Sequence, residues 1–183
     1  AAAEVLLAAG ADLEAKGKKG ETALFMAVRR LAFGFSAKEK VEDVWKILEL
    51  LLDRGADVNS RDILGNTPLM AALRADNVEL AELLKQHGAE VNAVDCYGMS
   101  ALMQVCQNPR GVIEKRRLCI DRLLFWGADT SLKDDNGLTA GDYLAVNPLL
   151  KDMVSDFEAR LERGTKPADV RQTLEHLTAE QVS

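Results

Sequence analysis

Apolar residues along this chain fall at helical spacing in short runs, and the runs end repeatedly in the same punctuation. Ile47, Leu48, Leu51 and Leu52 form one such run, and Gly55-Ala56-Asp57 closes it. The triplet recurs as Gly10-Ala11-Asp12, Gly88-Ala89-Glu90 and Gly127-Ala128-Asp129, at spacings of 45, 33 and 39. Ten residues after each of these glycines stands another, at Gly20, Gly65, Gly98 and Gly137, and two residues further on comes Thr22, Thr67, Ser100 or Thr139. Self-similarity at such a period is the mark of a repeat array.

Each block reads as turn, helix, helix. The first glycine supplies the left-handed residue that ends a helix. Asp62-Ile63-Leu64-Gly65 and Asp95-Cys96-Tyr97-Gly98 carry small turn-forming residues at both ends, which predicts a tight projecting turn. The Thr or Ser that follows is an N-cap, and Pro68 fills the first helical position after Thr67, where its missing N–H is harmless.

This pattern resembles the ankyrin repeat, whose usual period is about 33 residues and whose first helix opens Thr-Pro-Leu-His-x-Ala. The best copy here is Thr67-Pro68-Leu69-Met70-Ala71-Ala72; Thr22-Ala23-Leu24 and Ser100-Ala101-Leu102 open two others. The fourth, Thr139-Ala140-Gly141, departs furthest, and Gly141 in place of a buried leucine is expected to weaken its helix. The resemblance covers roughly residues 4–163 and implies an all-α ankyrin-repeat solenoid. The expected division is a partial repeat over 1–9, repeats over 10–54, 55–87, 88–126 and 127–163, and a C-terminal capping helix over 164–183 that carries Val170, Leu174 and Leu177 on one face. Glu4 to Ala9 reads as the tail of a second helix, so an upstream repeat is expected.

Two insertions disturb the period. About twelve extra residues fall in 32–43, where Ser36 and Glu39 have capping-box spacing and predict a long second helix from near Ala37 to about Arg54. About six more surround Pro109 and Gly111, which are expected to end a first helix.

Composition narrows the function classes. The chain has 183 residues with 23 Lys plus Arg against 29 Asp plus Glu, a net charge of −6, which argues against a surface that tracks nucleic acid phosphates. Its longest apolar run, Ile47 to Leu52, is broken by Glu49 and falls far short of the roughly 18 residues of a membrane span, so neither nucleic acid nor membrane is an expected partner. Cys96, Cys106 and Cys119 are an odd number and suit free, mostly buried thiols, which favours a reducing, cytoplasmic setting. The chain opens on Ala1, so a leader cannot be sought in it.

Catalytic chemistry finds little to work with, and neither a cofactor nor a metal is expected. Of the two histidines, His87 ends a helix beside Gly88 and His176 lies on the predicted terminal helix. The cysteines lack zinc-ligand spacing. Gly17-Lys18-Lys19-Gly20 fails the phosphate-loop pattern because Lys19 stands where a hydroxyl is needed, and Gly98-Met99-Ser100-Ala101-Leu102 lacks the last glycine of a nucleophile elbow. Asp134 and Asp135 read as solvated acids of a turn.

Function then means recognition of another protein, an enzyme among the candidates. The resemblance implies a concave binding face made of turn tips and first helices. By position, the tips are Lys18 and Lys19, Ile63 and Leu64, Cys96 and Tyr97, and Asp135 and Asn136, a row that runs from basic through apolar to acidic. Asn66, Arg74, Met99 and Gln107 are expected to face the same way. Trp126, at the place of Arg54 and His87 in other repeats, is expected to be an exposed anchor, and Trp45 to be core. The basic group Arg110, Lys115, Arg116 and Arg117 reads as a solvated face balanced by Glu114 and Asp121. Phe33 and Phe35 in the insertion are divided between packing on the long helix and contacting a partner. Three readings follow: an interaction module, an inhibitor or self-protection (immunity) protein that occludes an enzyme's active site, and a regulatory domain of a larger enzyme or bacterial effector.

Overall fold

The computed structural model describes residues 10–34, 40–108 and 112–147. Seven helices are found among them: α1 (Ala23–Phe33), α2 (Val41–Asp53), α3 (Pro68–Arg74), α4 (Val78–Gln86), α5 (Ala101–Gln107), α6 (Ile113–Phe125) and α7 (Ala140–Val146). They stack as an all-α helical-repeat solenoid. The first helices α1, α3, α5 and α7 pack one upon the next, and α2, α4 and α6 pack against the first helix of their own repeat.

Local chemistry starts each first helix. Thr22, Thr67, Ser100 and Thr139 each accept the backbone N–H three residues on, at 3.3 to 3.4 Å, which satisfies an otherwise orphan donor. The expectation that Gly141 weakens the fourth copy finds no counterpart in length, since α7 has the same 7 residues as α3 and α5. A reciprocal bond compensates: Asp142 accepts the backbone N–H of Thr139 at 2.8 Å. The left-handed residues predicted at the helix ends are present, with φ of 81° at Gly55, 90° at Gly88 and 84° at Gly127.

The two central first helices, α3 and α5, are buried on nearly every face. Pro68 to Leu73 and Ala101 to Cys106 are all buried, sandwiched between neighbouring repeats and their own second helix, and Leu24, Leu48, Leu80, Leu102, Ile120, Leu123 and Leu144 continue one core through the stack. Cys106 and Cys119 are free thiols inside it, and burial pushes both up to about 12, while Cys96 is free and exposed.

Four expectations need correction. The second helix of the first repeat begins at Val41, not near Ala37; Lys40 is an extended N-cap that makes no side-chain capping bond, and Glu42 and Asp43 in the first turn answer the helix dipole instead. Trp45 is partly buried against the core, not enclosed by it. Arg116 is not on a solvated face. It is buried and pairs with Asp76 at 2.9 Å, because its guanidinium also donates to the carbonyls of Val105 and Asn108, which close α5. Asp134 is buried rather than solvated, accepting the Tyr143 hydroxyl at 2.5 Å and the backbone N–H groups of Asn136 and Leu138. The partial repeat over 1–9, the end of the fourth repeat, the 164–183 helix, His176, Phe35, the Ser36 and Glu39 pair, Pro109, Arg110 and Gly111 lie outside the described residues.

Candidate functional site

The projecting turns are built to one pattern and then bonded to each other. In each of the last three, an aspartate gathers the turn around its Oδ1: Asp62 accepts the N–H groups of Leu64 and Asn66, Asp95 those of Tyr97 and Met99, and Asp134 those of Asn136 and Leu138, all between 2.8 and 3.0 Å. Gly17 occupies this place in the first repeat. Neighbouring tips join by one backbone bond each: Ile63 N–H to Lys19 O at 3.0 Å, Cys96 N–H to Leu64 O at 2.8 Å, and Asp135 N–H to Tyr97 O at 3.0 Å. The row of tips is therefore a strip with a braced backbone.

A second brace joins the repeats at the other end of each turn. Asn59 accepts the N–H of Glu90 at 2.8 Å and donates to Gly88 O at 3.2 Å; Asn92 repeats this with Asp129 N–H at 2.8 Å and Gly127 O at 3.1 Å. Glu14 takes the place of the asparagine in the first repeat and accepts Asp57 N–H at 2.8 Å. Sequence reasoning did not single out these residues. The recurrence of asparagine at one register position in two of the blocks was the available signal.

The strip leaves its apolar side chains in solvent. Ile63 is 69% exposed, Tyr97 57% and Leu64 44%, so none of them folds back under a neighbouring turn. Lys18, Lys19, Cys96, Asp135 and Asn136 are exposed on the same row. Behind the tips of the second and third repeats lies an open concavity of about 380 Å³. Six residues expected to face a partner line it together: Leu64, Asn66, Arg74, Tyr97, Met99 and Gln107. Asp95, Gln104 and Asn108 complete the lining and were not anticipated, since in a sequence they read as a turn residue, a core position and a helix end. Asn66 is buried and Met99 half-buried, while Arg74 and Gln107 are exposed at the ends of α3 and α5.

Trp126 is not among the residues that line this concavity, and the expectation that it is an exposed anchor needs correction. It is the C-cap of α6, donates its backbone N–H to Arg122 O at 2.9 Å, and is partly buried against the core. Its counterparts Arg54 and His87 are also second-helix C-caps, so the positional match holds. Phe33, by contrast, stands 53% exposed at the end of α1, with the Arg74 guanidinium over its ring at 5.5 Å from the centroid. In the first repeat, Glu21, at the register of Asn66, is buried and pairs with Arg29, at the register of Arg74, at 3.0 Å.

Among the described residues no cluster of His, Cys, Asp or Glu could hold a metal ion, and no helix is long and apolar enough to cross a membrane. Stacked turn-helix-helix units with a braced row of tips define a helical-repeat solenoid. The family model for ankyrin repeats (3 copies) matches residues 33–134, and the chain belongs to the ankyrin repeat family. Members of that family generally serve as protein–protein interaction modules and are typically non-catalytic. No curated protein matches the chain.

Proposed function

We propose that this chain binds a partner protein, without catalysis of its own, through the concave groove and the tips that flank it. The observation that carries the reading is the exposure of Ile63, Leu64 and Tyr97 side by side on a hydrogen-bonded strip. Rigid apolar side chains beside a concavity gain by being covered, and their presentation costs little ordering entropy on binding because the turns are already fixed. Leu64 and Tyr97 are the central contacts, with Ile63, Asn66, Cys96, Met99 and Gln107 around them. Lys18 and Lys19 at one end of the row, and Asp135 and Asn136 at the other, orient a partner of complementary charge.

Replacing Leu64 and Tyr97 together by alanine is expected to weaken partner binding by at least ~2 kcal/mol, roughly thirtyfold, while helical content and the unfolding transition stay close to the parent's. A captured partner that binds the double variant as tightly as the parent refutes the reading. Phe33 favours a second form of the same function, in which the base of the insertion wedges into an enzyme and inhibits it. If the captured partner is an enzyme, its turnover with and without this chain separates an inhibitor from a scaffold.

A further inference from the structure

Hydrogen-bond bookkeeping on the groove floor is lopsided. Gln104 donates through Nε2 to Asn66 Oδ1 at 3.2 Å and to Asp95 Oδ2 at 2.9 Å. Those two acceptors fix the direction of the amide, because turning it over would set its carbonyl against two other oxygens. Gln104 Oε1 is thereby left buried with no donor, in a residue only 7% exposed. Asn66 turns its own Nδ2 onto the carboxylate of Asp62, at 3.1 and 3.3 Å. Asp95 accepts two backbone N–H groups on Oδ1 and only the Gln104 amide on Oδ2, so part of its acceptor capacity is unfilled. The floor has spent its side-chain donors and kept acceptors, one of them buried and unmet.

The walls add to this bias. Tyr97 presents an exposed aromatic ring beside Leu64 and Met99. Arg74, the one cation among the lining residues, is drawn over the ring of Phe33.

We propose that this groove receives a cationic side chain, an arginine, carried on a segment of the partner protein; the inference rests on the groove being the partner site. A guanidinium brings five N–H donors in a fixed planar fork and no acceptor, which suits the unfilled acceptor capacity of Asp95 Oδ2, and its plane lies on the face of Tyr97. A carboxylate or phosphate meets the Asp95 charge on the floor. A lysine supplies the charge without the plane or the fork.

The test uses the full chain, labelled with ¹⁵N, and the probe acetyl-Leu-Arg-Leu-amide, with versions in which citrulline, lysine or glutamate replaces the arginine. The arginine probe is expected to move the backbone resonances of Asp95 and Tyr97 and the side-chain amide of Gln104. The citrulline and lysine probes should bind at least about fivefold more weakly, and the glutamate probe should leave those resonances in place. Tyr97→Ala should weaken the arginine probe about fivefold or more, and Arg74→Ala should tighten it about twofold, because a like charge leaves the groove. Glutamate binding as well as arginine, equal binding of lysine, or weaker arginine binding by Arg74→Ala overturns the assignment. If no probe reaches the groove while the Leu64 and Tyr97 alanine replacements still weaken partner capture, the arginine inference falls and the groove stands; if those replacements are also silent, both fall.

Discussion

Arg116 Nη2 lies 2.9 Å from Asp76 Oδ2, joining the second helix of the third repeat to the turn between α3 and α4, with both side chains almost wholly buried. Asp76 holds a left-handed backbone, φ 55°, which an aspartate tolerates better than most residues. The pair is thus a lock between adjacent repeats, and it also satisfies carbonyls at the end of α5.

Breaking one half of such a lock strands the other as a buried charge. Arg116→Met is expected to lower stability by roughly 3–5 kcal/mol, read from urea unfolding, and the double replacement with Asp76→Gly should recover part of the loss because no charge is left unpaired and glycine accepts the left-handed turn. A single replacement costing under about 1 kcal/mol would mean that the pair does not hold the repeats together.

Asn59 and Asn92 should behave alike because they make the same two bonds to the next repeat. Each alanine replacement is expected to cost about 1–2 kcal/mol, and the two losses should add nearly fully, since the sites share no partner. Thermal or urea unfolding of the two single variants and the double variant checks this.

Gly55 and Gly65 both hold positive φ, of 81° and 76°, but differ in surroundings. A Cβ on Gly55 meets nothing within 4 Å, whereas one on Gly65 comes to 3.0 Å from the backbone nitrogen of Cys96. Gly55→Ala should therefore cost only the left-handed strain, about 1–2 kcal/mol, and Gly65→Ala clearly more, as it also presses on the Cys96 to Leu64 hydrogen bond. Equal losses would show that the tips are not packed as closely as found.

The bond from Tyr143 to Asp134 makes stability depend on pH at both ends of the scale. The Tyr143 hydroxyl, helped by neighbouring N–H groups and opposed by desolvation, holds the Asp134 carboxyl below its ordinary value of 3.8. The unfolded chain takes up this proton first as pH falls, so the contribution is present above about pH 4 and lost as the pH falls through the depressed folded value. Tyr143 itself is pushed from 10.0 up to about 12, first by its bond to Asp134, so the unfolded chain ionises first and stability falls as pH rises across that window. Tyr143→Phe is expected to be less stable than the parent at pH 7, with the gap closing in acid below the Asp134 window. A gap that persists unchanged at pH 2 would assign it to packing instead.

The repeat register was legible in the chain because its signals are local. Glycines that must be left-handed, hydroxyl N-caps and helical runs of leucine each act within a few residues, so the turn-helix-helix order and the place of Tyr97 and Leu64 on the tips could be read directly. The start of α2 was not legible, because a capping-box spacing at Ser36 and Glu39 states only a local preference, and Lys40 is extended in the folded chain.

What the sequence by itself determined is the repeating unit, its turns and the row of side chains it presents. What only the tertiary structure decided is which polar residues become internal: Arg116 pairs 40 residues away with Asp76, Asp134 disappears beneath Tyr143, and Gln104 turns from a helix position into the floor of a groove. The physical reason is that a side chain's local signal sets its helix or turn, while its charge and hydrogen-bond capacity are answered by whichever neighbour the stacking brings within about 3 Å. Trp126 marks the same boundary, since its position along the repeat was plain and its packing against the core depended on the helices around it.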